Sequence, residues 1–270
     1  MKLGIGSYTY TWAIGVPGHV PAYPISALDL LEKARDLEVA VVQFCDNLPL
    51  TALSPSNLDL LVGRASDYGI AFELGTRGLE PVNMLAHLDL AKRLKASFVR
   101  FVIDHGSDAP SAADVITRVT PLMPAFAGSG VTFAIENHDR FPAQDLVRIV
   151  EALGASNCGI CLDTVNSFGS LEMPKEVVGA FAPYTVNLHV KDFTIKRVPS
   201  AMGFTVMGCP AGAGRLDIPW VLDQLRRARR DVNAIVELWT PFGENIAATI
   251  GLEQQWAEES VQYMRTLISE

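Results

Sequence analysis

The chain has 270 residues, 49% of them hydrophobic, with 21 glycines and a formal charge of −8, a balance that excludes a disordered or fibrous chain and predicts a globular protein with a substantial core. An excess of 30 acidic over 22 basic side chains removes any general electrostatic attraction to nucleic acid or to an anionic membrane. There is no run of 18 apolar residues, no basic and then apolar leader at "MKLGIGSYTY", and no Pro/Ser-rich linker, so residues 1–270 read as one cytoplasmic domain.

Short β-rich apolar runs recur along the chain. They are "LGIGSY" from Leu3, "AVVQFC" from Ala40, "IAFEL" from Ile70, "SFVRFVI" from Ser97, "VTFAIE" from Val131, "CGICLD" from Cys158, "TVNLHV" from Thr185 and "AIVELW" from Ala234. Between them, segments such as "SALDLLEKARDL", "NMLAHLDLAKRL" and "PWVLDQLRRARR" repeat apolar residues at i, i+3, i+4 and i+7, the pattern of one buried helix face. Eight strands, each leading to a helix, predict a single (β/α)8 TIM barrel with its active site at the C-terminal face of the strands. An open doubly wound sheet alternates in the same way but places a glycine-rich phosphate turn after its first strand, and "SYTYTWAIGVPG" is not one. Four cysteines, Cys45, Cys158, Cys161 and Cys209, suit a reduced compartment. "CGIC" at 158–161 lies in a strand, where residues three apart face opposite ways, so these two read as small buried side chains rather than a redox pair. "LRRARRD" at 225–231 reads as a solvated helix end.

A barrel strand buries both faces, and parity decides which residues share a side. In the fifth run Val131, Phe133 and Ile135 are the bulky, outward set, which turns Glu136 inward. The same reasoning turns Gly159, Cys161 and Asp163 inward in the sixth run, Thr185, Asn187 and His189 in the seventh with Lys191 next, and Ile235 and Glu237 in the eighth. Four consecutive strands therefore each deliver one inward ligand-type residue, Glu136, Asp163, His189 and Glu237, at the same mouth. Three carboxylates repel one another there unless a cation holds them. A mainly oxygen set with one imidazole suits Mn²⁺, Mg²⁺ or Co²⁺, and also accommodates Zn²⁺.

These residues lie in "IEN" at 135–137, "CLDTVNS" at 161–167, "NLHVKD" at 187–192, "GAGRLDIPWVLDQL" at 212–225 and "VELW" at 236–239. In order and spacing the motifs resemble the xylose-isomerase-like TIM-barrel superfamily, in its sugar isomerase and epimerase branch, which includes ketose 3-epimerases. The resemblance implies that Glu136, Asp163, His189 and Glu237 bind a divalent metal. It further implies that Glu136 and Glu237 act as acid and base on either side of a ketose or sugar-derived substrate, isomerising or epimerising it through an enediolate. The same machinery serves a lyase: decarboxylation of a 3-oxo sugar acid, or elimination from an oxidised sugar. Many relatives carry a glutamate in the second strand, where this chain has Gln43. Abasic-site repair of the endonuclease-IV kind would demand more histidines than five and a basic face.

Around the mouth, Lys191, Arg197 and Arg215 are candidates to hold a substrate carboxylate. The glycine-rich stretch "GCPAGAG" before Arg215 offers no convincing phosphate cradle. His138, inward by parity beyond Glu136, is a candidate to orient a ligand or touch substrate, and Asn166 and Asp192 to organise the mouth by hydrogen bonding. Glu73 and Arg100 share the inward parity and stand as either substrate contacts or an internal ion pair. Trp12, in the Pro/Gly-rich segment after the first strand, is positioned to close over a sugar ring, and Trp239 to wall the pocket. His105 is a weaker candidate, and Asp139 has no assigned role. The expected partner is a small sugar or sugar acid, and a homo-oligomer is compatible with the sequence.

Overall fold

The computed structural model describes residues 1–268. Seven of the barrel strands are β1 Leu3–Gly6, β2 Val41–Phe44, β3 Ala71–Arg77, β4 Phe98–Val102, β5 Thr132–Glu136, β6 Cys158–Asp163 and β7 Thr185–Val190. After β7 the chain forms a hairpin, β8 Asp192–Arg197 with β9 Phe204–Cys209, before the last barrel strand, β10 Ala234–Val236. The barrel closes in the order β1-β10-β7-β6-β5-β4-β3-β2 with parallel pairing throughout. This is the (β/α)8 architecture predicted from the alternation of patterns, with Glu136, Asp163, His189 and Glu237 on adjacent strands or just past their ends.

The helices are α1 Thr11–Ile14, α2 Ala27–Asp36, α3 Pro55–Tyr68, α4 Pro81–Leu94, α5 Ala112–Val119, α6 Met123–Ser129, α7 Ala143–Leu153, α8 Pro174–Phe181, α9 Ile218–Arg227 and α10 Ile246–Arg265. Their starts carry local signals. Ser26 and Ser111 each accept the N–H of an aspartate three residues on, whose carboxylate bonds back to the serine N–H, and Ser54 caps a helix that begins with proline. Arg226 and Arg227 of the basic run end α9, where cations complement the helix dipole. Among the described residues no helix is long and apolar enough to cross a membrane.

Two cores result from strand parity. Outward residues such as Phe101 and Phe133, stacked at 4.7 Å with Phe126 edge-on to both, pack under the helices. The barrel interior is largely polar: Gln43, Glu73, Arg100, Asn187 and His189 are all buried. Gly75 makes room for one of these. It pairs with Arg100 across the β3–β4 ladder, and a Cβ there would lie 2.8 Å from Cys45 Sγ and 3.1 Å from Arg100 Cδ, so an arginine can run through the barrel only past a glycine.

The structure departs from the sequence reading in two places that matter for the site. β3 runs three residues beyond "IAFEL" and carries Arg77 to the mouth. A hairpin also follows β7, where the sequence shows no strand pattern. Its register, Asp192 opposite Cys209 and Arg197 opposite Phe204, sends Arg197 away from the barrel.

Candidate functional site

Glu136, Asp163, His189 and Glu237 are buried, and one ligand atom from each lies within 4.8 Å of the others. His189 Nδ1 is the hub, 3.2 Å from Glu237 Oε1, 3.5 Å from Glu136 Oε1 and 3.8 Å from Asp163 Oδ2. The other ring nitrogen, Nε2, meets Cys161 Sγ at 3.2 Å, and that sulfur lies 3.5 Å from Asn187 Oδ1. With Nδ1 turned to the carboxylates, Nε2–H points to Cys161, a contact that fixes the ring and leaves Nδ1 to ligate an ion. Burial pushes the Cys161 thiol well above its ordinary range, so it remains a neutral partner. Cys161, which the sequence suggested was only filler, therefore orients the imidazole.

Hydrogen bonds aim the carboxylates. Asp163 Oδ1 accepts the N–H groups of Val165 and Asn166, each at 2.9 Å, leaving Oδ2 to face the cluster. Asn137 ties β5 to β6: its Oδ1 accepts the Asp163 N–H at 2.8 Å, while its Nδ2 donates to the Asp163 carbonyl at 2.9 Å. Asn166 Nδ2 donates to Glu136 Oε1 at 2.8 Å.

Cations face the remaining oxygens. Arg100 Nε contacts Glu136 Oε2, and its Nη1 reaches Asp46 Oδ1 at 3.1 Å. Lys191 Nζ sits 2.7 Å from Asp163 Oδ2 and 2.8 Å from Glu237 Oε2. Burial alone would raise the Glu136 carboxyl, but Arg100 above all, with His189 and Lys191, holds it well below the usual carboxylate range. Burial likewise opposes the charges on Lys191 and His189, and the surrounding carboxylates reverse the effect, raising both above their ordinary values.

The donor set fits a divalent cation. Nine buried side-chain polar atoms among the described residues lack a well-formed hydrogen bond, and five of them are Glu136 Oε2, Asp163 Oδ2, His189 Nδ1 and both Glu237 oxygens. Arg100 and Lys191 offset three of these five as ion pairs, and the others are costly unless something binds them. Ligands on opposite sides of an ion lie about 4–5 Å apart, the spread observed here.

Above the cluster a cavity of about 290 Å³ is walled by Tyr8, Trp12, Arg77, Arg100, His138 and Trp239, with the buried Glu136, Asn166, Lys191 and Glu237 lining its base. Trp12 is fixed there. Its indole donates to the Thr240 carbonyl at 2.8 Å, and Glu253 of α10 accepts the N–H groups of Trp12 and Ala13 at 2.9 and 3.0 Å. His138 Nδ1 lies 3.0 Å from Asp139 Oδ2, which gives Asp139 a partner the sequence did not suggest.

Three expected contacts are not made. Glu73 lies deeper in the barrel, bonded to Gln43, Asn187 and Asn233, and neither reaches the cavity nor pairs with Arg100; parity gives a residue's side but not its depth. Arg197 is exposed on the hairpin, stacked over Phe204 and donating to the Ala201 carbonyl. Arg215 is exposed in a separate groove with Met173, Phe193 and Trp220. His105 also lies outside the cavity. The residues missed from the sequence are Arg77, Asp46 and Tyr8. Asp46 accepts from Tyr8 at 2.9 Å and faces Arg77 at 3.3 Å, directly after a strand end where a mouth residue is to be sought.

The glycine-rich stretch serves Asp192. One of its oxygens accepts the N–H groups of Phe193 and Leu216 at 2.7 and 3.0 Å, the other those of Gly212 and Gly214 at 2.9 and 3.0 Å. A Cβ on Gly214 would lie 2.2 Å from Asp192 Oδ1. The loop's amides are thus spent on an internal carboxylate. Asp192→Asn presents an NH₂ group to two of these donors and should destabilise the chain by about 3 kcal/mol, measured by urea unfolding.

Known proteins share this fold. The chain is 33% identical to the 3-oxo-isoapionate decarboxylase of Pectobacterium atrosepticum, over 98% of this chain and 96% of that one. Its fold superposes on D-psicose 3-epimerase from Clostridium cellulolyticum H10, solved with D-tagatose, with a TM-score of 0.73, 16% identity and 99% of each chain covered. It also superposes on a xylose isomerase-like TIM barrel protein from Mycobacterium smegmatis in complex with magnesium, with a TM-score of 0.69, 15% identity and 97% of each chain covered. The sequence profile of one family matches residues 31–267, and the chain belongs to that family, the xylose isomerase-like TIM barrels.

Proposed function

We propose that this protein is a divalent-metal-dependent enzyme that removes the carboxyl group of a 3-oxo sugar acid. The observation that carries this reading is the buried pairing of Arg100 with Glu136. Epimerisation needs a base strong enough to take a proton from carbon, and a glutamate held as an anion by a buried guanidinium is a weak one. Decarboxylation breaks no C–H bond and asks no base of Glu136.

Charge supports the same choice. Asp46, Glu136, Asp163 and Glu237 oppose Arg77, Arg100 and Lys191, four anions against three cations with His189 neutral, as a ligand must be. A divalent ion turns that net −1 into +1, which complements a singly charged acid better than a neutral ketose. The relative named as a 3-oxo-isoapionate decarboxylase supports both substrate class and reaction.

Glu136, Asp163, His189 and Glu237 would hold Mn²⁺, Mg²⁺, Co²⁺ or Zn²⁺, which supplies Lewis acidity toward a carbonyl and its neighbouring hydroxyl. Arg77 and Lys191 hold the substrate carboxylate from the cavity wall, and Trp12 and Trp239 exclude water over it. The bond between the carboxyl carbon and C2 breaks, its electron pair moves toward the C3 carbonyl oxygen, and carbon dioxide leaves. A proton then returns to C2 from His138, whose Nε2 is free because Nδ1 faces Asp139.

Epimerisation of a ketose is the second reading, favoured by Glu136 and Glu237 both facing the cavity. Turnover of 3-oxo-isoapionate and of D-psicose by the Mn²⁺-loaded protein separates the two. We expect kcat/KM to favour the acid by at least about 10³-fold, the loss of a bidentate or buried charge partner being worth several kcal/mol; a preference for the ketose refutes the decarboxylase reading.

A further inference from the structure

We propose that Lys191 is a built-in counter-cation that stands in the divalent ion's place in the metal-free protein and is exchanged out when the ion binds. The proposal rests on the metal-centre reading given above. Asp163 has one oxygen to offer an ion, because Oδ1 is taken by the Val165 and Asn166 N–H groups. Lys191 Nζ lies 2.7 Å from the other, Oδ2, and 2.8 Å from Glu237 Oε2, with Asn166 Oδ1 at 3.4 Å. The ammonium donates to Asn166 Oδ1 and is paired by charge with the two carboxylate oxygens. The ammonium and a divalent ion thus compete for Asp163 Oδ2, and two cations brought that close repel one another.

The surroundings let the side chain move while the backbone stays. Lys191 N–H donates to Thr164 Oγ1 at 2.9 Å, and the same hydroxyl donates to the Lys191 carbonyl at 2.8 Å, so residue 191 is clamped to β6. Its flexible stem borders the cavity of about 290 Å³, and the released ammonium enters that space, where a substrate carboxylate arrives. Metal loading therefore arms the substrate site, and the ion binds before the acid. The exchange also explains how three buried carboxylates remain tolerable without an ion: Lys191 and Arg100 offset most of their charge in its absence.

The test is Mn²⁺ titration calorimetry on the full chain with Lys191→Met, an uncharged side chain of similar length, alongside thermal unfolding in chelator. The variant should bind Mn²⁺ at least about tenfold more tightly than wild type, and its metal-free unfolding midpoint should fall by about 10 °C. If Lys191→Met folds only with Mn²⁺ present, that is the same loss in stronger form, and Lys191→Gln supplies the affinity comparison. Mn²⁺ affinity equal to or weaker than wild type overturns the exchange while leaving the metal centre standing. A wild-type protein that takes up no Mn²⁺ overturns the metal centre, and the exchange with it.

Discussion

Arg100→Met is expected to destabilise the metal-free protein by about 3–5 kcal/mol, the cost of stranding buried charges whose partner has gone. Glu136 and Asp46 both lose their contact with the guanidinium, and methionine can offer neither a hydrogen bond. The variant should also reverse the local pH dependence. In wild type the Glu136 carboxyl is held below the 4.5 of an ordinary glutamate, so its contribution to stability is present above about pH 4.5 and fades as pH falls toward the depressed value. Without Arg100, burial dominates and lifts the carboxyl, so the contribution is present below pH 4.5 and is lost as pH rises. Urea unfolding in chelator at pH 4 and pH 7 measures both. The wild type should gain from the higher pH relative to the variant, and an unchanged difference would mean that Arg100 does not set the state of Glu136.

Glu237→Gln and Glu136→Gln should each reduce kcat by about 10²–10⁴-fold while leaving the circular dichroism spectrum intact. Each glutamine keeps the side-chain shape and one acceptor oxygen, but loses the negative charge that the cluster needs to attract an ion. Arg100 retains Asp46 and Lys191 retains Asp163 when either glutamate is changed, so the fold is not left with an unpaired cation. Steady-state kinetics with metal in excess and calorimetric Mn²⁺ titration form the check. A variant that turns over normally with metal bound would remove that glutamate from the reaction.

The sequence made the four-residue cluster legible because strand alternation is strict: once the bulky residues of β5, β6 and β7 are assigned to the helices, Glu136, Asp163 and His189 must point inward. It was less informative wherever depth or loop path decides. Glu73 and Arg100 share a side, yet the ladder pairs Glu73 with Gln43 and Arg100 with Gly75, so they occupy different layers and different networks. Arg77 was missed because β3 extends past its apolar run. Arg197 and Arg215 were misplaced because the hairpin following β7, and the amides gathered by Asp192, have no hydrophobic period to announce them. Trp12 lines the cavity, but its clamp, Glu253, lies on the last helix, beyond any local pattern.

In the proposed reaction the bond broken joins a carboxyl carbon to the sugar chain. Its most direct test is to supply the Mn²⁺-loaded protein with 3-oxo-isoapionate in D₂O and follow the products by NMR and mass spectrometry. Decarboxylation gives stoichiometric carbon dioxide and a neutral ketose carrying one deuterium at the carbon that bore the carboxylate. Deuterium entering a substrate that keeps its carboxyl group, with no carbon dioxide released, would contradict it and return the site to isomerase or epimerase chemistry.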